Sequence, residues 1–244
     1  MATYIIADVH LSNNRPLLMT SLRSFYGRTL INDKVIILGD LFDYYVGLNT
    51  SDKLHQELRS IIQAAKHRGV TTYFQRGNRD FLMDKSDASY FGFKLLPDYY
   101  VIQTPKGPAL IMHGDQLCLN DRSFQKFRRL SKNRILRFIF MRLPYSLRNK
   151  IAGRIRAKSQ KQNPLRNKRP QTFGMVKKAG IHCLRMSKCR ILIHGHFHVF
   201  GARKDVFGPD TYRFGLGYWG ANFSYIYIDR LQFEIIQKPM ERLF

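Results

Sequence analysis

Short apolar runs that end in an acid, a histidine or an amide constrain the fold of this chain more than any other feature. Three such runs occupy residues 3–10, 34–42 and 71–80, and patterns with helical spacing separate them at 17–27 and 53–69. A strand, helix, strand order predicts parallel βαβ pairing, in which ligands bind at the carboxyl ends of the strands. The polar residues that end the runs fall at those carboxyl ends.

The later part of the chain predicts further strands. Residues 99–115 are typical of a hairpin that turns at 105–108, residues 189–198 of another buried strand, and residues 224–237 of a closing hairpin. Together with the first third, these elements predict one α/β domain over 1–244, a sandwich of two mixed sheets.

Residues 122–172 predict a helical hairpin inserted into that domain. The stretches 124–143 and 145–160 are helical, basic and apolar at once, and Pro144 separates them. Residues 163–172 contain two prolines and no apolar periodicity, which predicts a loop before a helix at 173–186.

Positive charge is concentrated in one segment. The 244 residues carry 41 Lys and Arg against 17 Asp and Glu, a formal net charge of +24, and no acid lies between Asp121 and Asp205. Residues 122–204 hold 24 of the bases, so the rest of the chain is neutral. Such a positive field attracts phosphate on nucleic acid, on lipid headgroups or on a phosphorylated substrate. The alternative is that a biased genome composition, rather than a binding partner, explains the excess of Lys and Arg. The net charge alone does not distinguish among these phosphate-bearing partners.

Three features argue against other classes of protein. No run of about 18 uninterrupted apolar residues exists, which argues against a transmembrane helix. The first residues, MATYIIADVHL, place an acid and a histidine where a secretory signal needs its apolar run, so we expect a cytoplasmic protein. The three cysteines, Cys118, Cys183 and Cys189, lack CxxC spacing, so we expect reduced thiols rather than disulfides or a zinc ribbon.

Seven side chains that can bind metals follow the apolar runs in order. They are Asp8, His10, Asp40, Asn78, His113, His196 and His198. Each alone has an ordinary explanation, as a strand end, a helix cap or a core histidine, but together they indicate a metal site. Carboxylate, imidazole and amide ligands suit octahedral Mn²⁺ or Fe²⁺. The i, i+2 spacing within the first pair and within the last pair places both members on one side of an extended chain, where both could bind one ion.

Asp40 has two carboxylate oxygens, so it can bridge two ions about 3.5–4 Å apart. Such a pair of ions polarises a phosphoryl group and lowers the pKa of a bridging water toward neutrality, which makes hydroxide the nucleophile. The seven residues therefore predict a two-metal phosphoesterase.

Other titratable residues have simpler interpretations. Asp43 either caps the following segment or contacts a ligand histidine from outside. Asp80 and Asp115 are expected to be structural, and His194 an outer contact at best, because it points away from its strand neighbours. Histidines in helical patterns are expected to pack or to face solvent: His55, His67 and His182.

Five sequence blocks resemble those of the calcineurin-like metallophosphoesterase superfamily, in the same order. They are MATYIIADVHLS, ILGDLFDYYVG, RGNRDFLM, IMHGDQLCLND and IHGHFH. Arg79 follows Asn78 where protein phosphatases and DNA-repair nucleases of this superfamily usually have histidine. With Arg79, the series is similar to the bacterial UDP-2,3-diacylglucosamine diphosphatase family of lipid A synthesis, over nearly the whole chain. The resemblance implies two mixed β-sheets flanked by helices, with an inserted helical lid over 122–172.

The resemblance also implies a reaction and its residues. Water would attack the α-phosphorus of UDP-2,3-diacylglucosamine, releasing UMP and 2,3-diacylglucosamine 1-phosphate. Two Mn²⁺ ions per chain would be held, the first by Asp8, His10, Asp40 and His198, the second by Asp40, Asn78, His113 and His196. Arg79 would clamp the diphosphate, a role that suits a guanidinium. The catalytic residues would be Asp40, Asn78, Arg79 and His113, and the substrate-binding residues Asn78, Arg79, Asp121, Ser159, Asn163, Arg166 and His196.

One of these positions departs from the family pattern. Relatives usually have lysine at the position of Arg166, so either Arg166 or the nearby Lys168 takes that role.

The inserted lid would line a slot for the acyl chains or enter the membrane interface. The apolar candidates are Phe138, Ile139, Phe140, Met141 and Leu143, and the bases that would meet anionic headgroups are Arg134, Arg137, Arg142 and Arg148. The alternative is that the apolar side chains only pack the hairpin onto the core. We expect an enzyme on the cytoplasmic face of the inner membrane of a Gram-negative bacterium, without a nucleic acid partner.

Two other functions stay open on sequence grounds. A metal-dependent phosphodiesterase or nuclease acting on nucleic acid is favoured by the net charge and disfavoured by Arg79 and the apolar insertion. A non-catalytic binder of anionic surfaces is disfavoured by the seven intact ligand positions. An apolar slot beside the metals would support a lipid substrate, whereas an open basic groove with exposed aromatics would support nucleic acid.

Overall fold

The computed structural model describes residues 1–168 and 174–243, except for the side chains of Lys132 and of residues 161–168. Its strands form two sheets. The first contains β1 (Thr3–Ile6), β2 (Lys34–Leu38), β3 (Thr71–Gln75), β4 (Phe93–Leu95), β10 (Asn222–Ile228) and β11 (Phe233–Pro239), in the order β11-β10-β1-β2-β3-β4. The second contains β5 (Tyr100–Thr104), β6 (Gly107–Met112), β7 (Ile191–His194), β8 (Gly201–Lys204) and β9 (Tyr212–Gly215), in the order β5-β6-β7-β9-β8.

The α-helices of the described residues flank these sheets or form the insertion. They are α1 (Pro16–Gly27), α2 (Lys53–His67), α3 (Lys85–Phe91), α4 (Arg122–Lys132), α5 (Arg134–Arg142), α6 (Tyr145–Lys168) and α7 (Lys177–Ser187). In this part of the chain, no helix is long and apolar enough to cross a membrane.

Parallel pairing positions the functional residues. Strands β1, β2, β3 and β4 run parallel to one another, as do β6, β7 and β9, while β10, β11, β5 and β8 pair antiparallel with their neighbours. The carboxyl ends of parallel strands meet at one edge of a sheet, so the loops that follow β1, β2, β3, β6 and β7 lie close together. All seven predicted ligands lie in these loops.

The core lies between the sheets and under the helices because strand side chains alternate between two faces. Ile5 of β1 packs with Ile111 and Ile193 of the second sheet. Its neighbour Ile6 faces the other way and packs with Leu22 of α1. The predicted sandwich of two mixed sheets is therefore confirmed.

The insertion differs from the predicted hairpin, because three helices cover 122–168. Asn133 ends α4 and begins α5, since its Oδ1 accepts hydrogen bonds from the backbone N–H groups of Ile135 (2.9 Å) and Leu136 (3.1 Å). The prediction of one helix over 124–143 is thus wrong. The predicted loop is wrong over 163–168, which belong to α6, and its residues 169–172 lie outside the described residues. The short elements β4, α3, β8 and β9 were not predicted.

The apolar residues of the insertion divide into two groups. Phe138 and Ile139 are 61% and 55% exposed, whereas Phe140 and Met141 pack against the main core. The alternative that the apolar side chains only pack the insertion onto the core therefore applies to Phe140 and Met141, but not to Phe138 and Ile139. Arg148 does not face solvent as expected, because it is buried and donates to the carbonyl of Val46.

The buried His55 predicts a pH-dependent stability. Burial among the rings of Phe42, Tyr45 and Phe91 lowers the pKa of His55 below its usual value. Because the unfolded chain then binds more protons than the folded one, stability present at neutral pH is lost as pH falls below about 6.5. For one proton, the free energy of unfolding changes with pH by at most about 1.4 kcal/mol per pH unit. Denaturant titrations between pH 5 and 8 measure it, and His55→Phe should flatten the profile; an unchanged profile would contradict this assignment.

Candidate metal centre and active site

The backbone at the predicted ligands is left-handed rather than extended. Five of the seven, Asp8, His10, Asp40, His196 and His198, have φ between 51° and 67°. A positive φ is uncommon outside glycine and concentrates at functional sites. Strand β1 ends before the first pair and β7 before the last, so the expectation that each pair shares one side of an extended chain is wrong.

Asp8, His10 and His198 form one cluster. The Oδ1 atom of Asp8 lies 3.8 Å from His10 Nε2 and 3.4 Å from His198 Nε2, and the two imidazole nitrogens lie 3.2 Å apart. One donor atom from each residue fits within 4.8 Å of the others. Three donors at this spacing can bind one metal ion.

A second cluster contains Asp40, Asn78, His113 and His196. His113 Nε2 lies 3.5 Å from Asp40 Oδ1 and 3.0 Å from Asn78 Oδ1, and His196 Nδ1 lies 2.8 Å from the same amide oxygen. Thus His196 and His198, two residues apart, face different clusters. Asp8 also lies within 4.8 Å of Asp40 and His113 donor atoms, so its carboxylate joins the two clusters.

The electrostatics of the clusters fit divalent cations. Asp8 Oδ1 is fully buried without a hydrogen-bond partner, an arrangement that is costly unless a cation or proton is present. Burial alone would raise the pKa of Asp8, but the nearby imidazoles, His198 first, hold it below its usual value. Burial lowers the pKa values of His10 and His196, which keeps both imidazoles neutral, the form that binds metals.

Arg79 lies at the edge of the second cluster between two carboxylates. Its Nε lies 3.2 Å from Asp40 Oδ2, and its Nη1 donates to Asp43 Oδ1 at 2.8 Å. Arg156 of α6 contacts the same Asp43 carboxylate, with Nε 3.0 Å from both oxygens. Asp43, which the sequence left ambiguous, therefore joins Arg79 to the insertion. The carboxylates orient the Arg79 guanidinium before any ligand arrives.

Comparison with known proteins agrees with this geometry. A model of the calcineurin-like phosphoesterase family matches residues 1–200. The chain belongs to this family. The UDP-2,3-diacylglucosamine hydrolase of Pectobacterium carotovorum subsp. carotovorum is 36% identical over 241 residues, which cover 98% of this chain and 100% of that protein. The hydrolase of the same name from Proteus mirabilis is 33% identical over 241 residues, with the same coverage. That of Aeromonas hydrophila subsp. hydrophila is 38% identical over 200 residues, 81% of this chain and 82% of the relative.

Four of the expected substrate residues lie at the start of the insertion or on α6: Asp121, Ser159, Asn163 and Arg166. Asp121 is buried and accepts a hydrogen bond from the backbone N–H of Phe124 at 2.9 Å, so it caps α4. Ser159 is half-buried on α6. Asn163, Arg166 and Lys168 belong to α6, but their side chains lie outside the described ones. Which of the two bases at 166 and 168 contacts substrate stays a prediction.

The phosphoesterase also has site neighbours that the sequence did not identify. Cys118 Sγ lies 3.3 Å from His196 Nε2, and the ring of Tyr218 lies 5.1 Å from that of His198. Arg213 donates to His194 Nε2 at 2.8 Å, next to the loop that carries the last two ligands. Arg156 is one of many bases on the insertion. Cys118 lies in the IMHGDQLCLND block, but no periodicity or motif assigns any of these residues a role at the site, since only the folded chain makes them neighbours.

Acids expected to be structural have structural contacts. Asp80 accepts hydrogen bonds from the backbone N–H groups of Gly77 (2.7 Å) and Leu41 (2.8 Å), which ties two ligand loops together. Asp115 pairs with Arg128 of α4, with 2.7 Å between Oδ2 and Nε.

Proposed function

We propose that this phosphoesterase hydrolyses the pyrophosphate of UDP-2,3-diacylglucosamine to UMP and 2,3-diacylglucosamine 1-phosphate, a step of lipid A biosynthesis. The observation that carries the proposal is Arg79, held by Asp40 and Asp43 at the edge of the metal-binding clusters. Relatives named UDP-2,3-diacylglucosamine hydrolase support it, because the chain is 33–36% identical to two of them over nearly its full length.

The cofactor proposed is a pair of Mn²⁺ ions. As predicted from sequence, Asp8, His10, Asp40 and His198 would hold one, and Asp40, Asn78, His113 and His196 the other. The Asp8 carboxylate, within 4.8 Å of donor atoms in both clusters, would be available to either ion. Mixed carboxylate, imidazole and amide donors suit Mn²⁺, and no cysteine thiolate is needed. Bound there, the ions would polarise a phosphoryl group and supply a hydroxide nucleophile near neutral pH.

The protein itself positions the diphosphate. The Arg79 side chain is 16% exposed, so it is accessible to a ligand, and its orientation is set by two carboxylates. A guanidinium in this position offers paired donors to phosphate oxygens and opposes the charge that develops on the leaving phosphate. Arg156, joined to Arg79 through Asp43, brings a second positive charge to the same side.

The site of action proposed is the cytoplasmic face of the inner membrane. Ile135, Phe138 and Ile139 are exposed on α5, and the Arg142 guanidinium lies 4.6 Å from the centre of the Phe138 ring. Exposed apolar side chains flanked by bases suit an interface with anionic headgroups.

Membrane binding is tested by sedimentation with vesicles that contain anionic phospholipid. Phe138→Asp should lower the bound fraction severalfold, because a carboxylate would enter the apolar interface. Exposed Leu231, at the turn between β10 and β11, offers a matched control, Leu231→Asp, that should bind normally. Equal binding of both variants and the wild-type protein would contradict the assignment of α5 to the membrane.

The substrate is tested by a paired assay. Purified protein with Mn²⁺ is given UDP-2,3-diacylglucosamine in detergent and, separately, single-stranded DNA. We expect UMP to be released in the first reaction and the DNA to stay intact. Cleavage of DNA together with an intact sugar nucleotide would replace this proposal with the nuclease that the net charge of +24 favours.

A further inference from the structure

A cavity of about 250 Å³ lies beside the metal-binding clusters. Gly77 and Asn78 form part of its wall, and Asn78 Oδ1 contacts His113 and His196 at 3.0 and 2.8 Å. The next side chain, Arg79, contacts Asp40 and Asp43 instead. Two ligand-accessible regions therefore meet at Asn78, one at Arg79 and the other in this cavity.

Three arginines line the cavity, Arg76, Arg128 and Arg137. Arg76 Nε donates to the carbonyl of Met83 at 2.5 Å, and Arg137 Nη2 lies 3.4 Å from the carbonyl of Leu82. Burial and then the positive charge of Arg76 lower the pKa of Arg137. A phosphate in the cavity would accept charge-assisted hydrogen bonds from guanidiniums on its wall.

The remaining wall combines aromatic rings with polar groups. Phe81, Phe124 and Phe127 line the cavity together with Gln116 and Ser131. The carboxylates are those of Asp98 and of Asp115, which also pairs with Arg128. A nucleoside presents matching groups, since a base stacks on aromatic rings and a ribose diol donates to carboxylates. The volume is below the roughly 300–1,000 Å³ of pockets that enclose a whole drug-sized ligand, which favours one polar group over two acyl chains.

We propose that this cavity binds the nucleotide half of the substrate, the part that leaves as UMP, an inference that rests on the proposed function. The scissile pyrophosphate then spans Asn78. Its nucleotide end lies toward Arg76 and Arg137, and its acylated sugar lies on the side of Arg79 and α6.

The test fills the cavity with a larger side chain. Ser131 lines it from α4, whereas Ser123 of the same helix is exposed, so Ser131→Phe and Ser123→Phe form a matched pair. Equilibrium binding of UMP and of 2,3-diacylglucosamine 1-phosphate is measured on the Mn²⁺-loaded full chain. Ser131→Phe should weaken UMP binding about tenfold or more and change the Kd of 2,3-diacylglucosamine 1-phosphate by less than about twofold. The larger side chain would occupy only the space of the nucleotide. Ser123→Phe should bind both products normally.

A second variant separates charge from shape. Arg137→Gln should weaken binding of UMP about tenfold and leave that of uridine unchanged, because only UMP carries the phosphate. The ratio of the UMP Kd to the uridine Kd is insensitive to partial unfolding, because unfolding would weaken the binding of both ligands.

The possible outcomes are distinct. If Ser131→Phe weakens lipid binding and spares UMP, the cavity holds an acyl chain and the inference is overturned. If neither product is affected, it is also overturned, although wild-type hydrolysis of UDP-2,3-diacylglucosamine would leave the proposed function standing. If the wild-type protein does not hydrolyse that substrate but loses UMP binding in Ser131→Phe, the proposed function fails and the nucleotide assignment stands.

Discussion

Replacing Asp40 with asparagine should reduce kcat roughly 10³-fold or more and leave the protein folded. The Asp40 carboxylate lies 3.5 Å from His113 Nε2 and 3.2 Å from Arg79 Nε, so its charge acts on both the candidate metal cluster and the guanidinium proposed to bind the diphosphate. Asparagine preserves the shape in a position that is 2% exposed. Burial raises the pKa of Asp40, which means that its charge costs stability in the metal-free protein. The melting temperature of the metal-free variant should therefore equal or exceed that of the wild-type protein.

Steady-state hydrolysis and thermal unfolding in metal-free buffer check both parts of this prediction. Asp210→Asn is a suitable control, because Asp210 is an exposed carboxylate that pairs with Lys204 and belongs to neither cluster. A variant at Asp40 that retains more than about a tenth of wild-type activity would remove this residue from the metal assignment. A large fall in melting temperature would show that the carboxylate is structural.

Exhaustive chelation should abolish hydrolysis and should be fully reversed by Mn²⁺. Without a cation, the buried Asp8 Oδ1 has no hydrogen-bond partner, and His10 and His198 face each other with 3.2 Å between their Nε2 atoms. A cation at this position would replace an unfavourable arrangement with metal–ligand bonds. Folded protein binds it and unfolded protein does not, so Mn²⁺ at about 100 times its Kd should add about 2.7 kcal/mol per ion to stability.

Activity and melting temperature, both measured during Mn²⁺ titration, check this expectation. His182→Ala serves as a matched control, because His182 lies on the exposed face of α7, and the variant should respond to Mn²⁺ as the wild-type protein does. Replacing His10 by alanine should weaken the stabilisation by Mn²⁺. Full activity in protein shown by elemental analysis to be free of transition metals would contradict the two-metal mechanism.

Much of the sheet framework was predictable, because it depends on short apolar runs. The runs at 3–10, 34–42 and 71–80 are strands that pair in parallel, and the residues after them converge at one edge. The hairpin at 99–115 turns where its prolines lie, with Thr104 paired to Gly107. Burial on both faces leaves a strong signal in sequence for strands such as β2, and the turn residues mark the hairpin, so these elements need little tertiary information.

The insertion was less predictable. Asn133 divides it by capping α5, a contact of one side chain that competes with an otherwise continuous helical pattern. Helix α6 continues through Pro164, against the expectation of a loop. Highly basic, partly apolar stretches carry a weak periodic signal, because few of their residues are buried in one core.

By itself, the sequence determined the two-sheet sandwich and the order of the loops, and it predicted the seven candidate donor residues, because strand periodicity and parallel pairing are local or nearly local properties. Only the tertiary structure decided how those donors divide. Left-handed backbone turns His196 toward Asn78 and His198 toward Asp8, and Asp8 joins the two clusters. It also placed Arg156 on Asp43, across 113 residues of chain. Contacts over such separations depend on how the insertion packs against the sheets, which no pattern within one segment encodes.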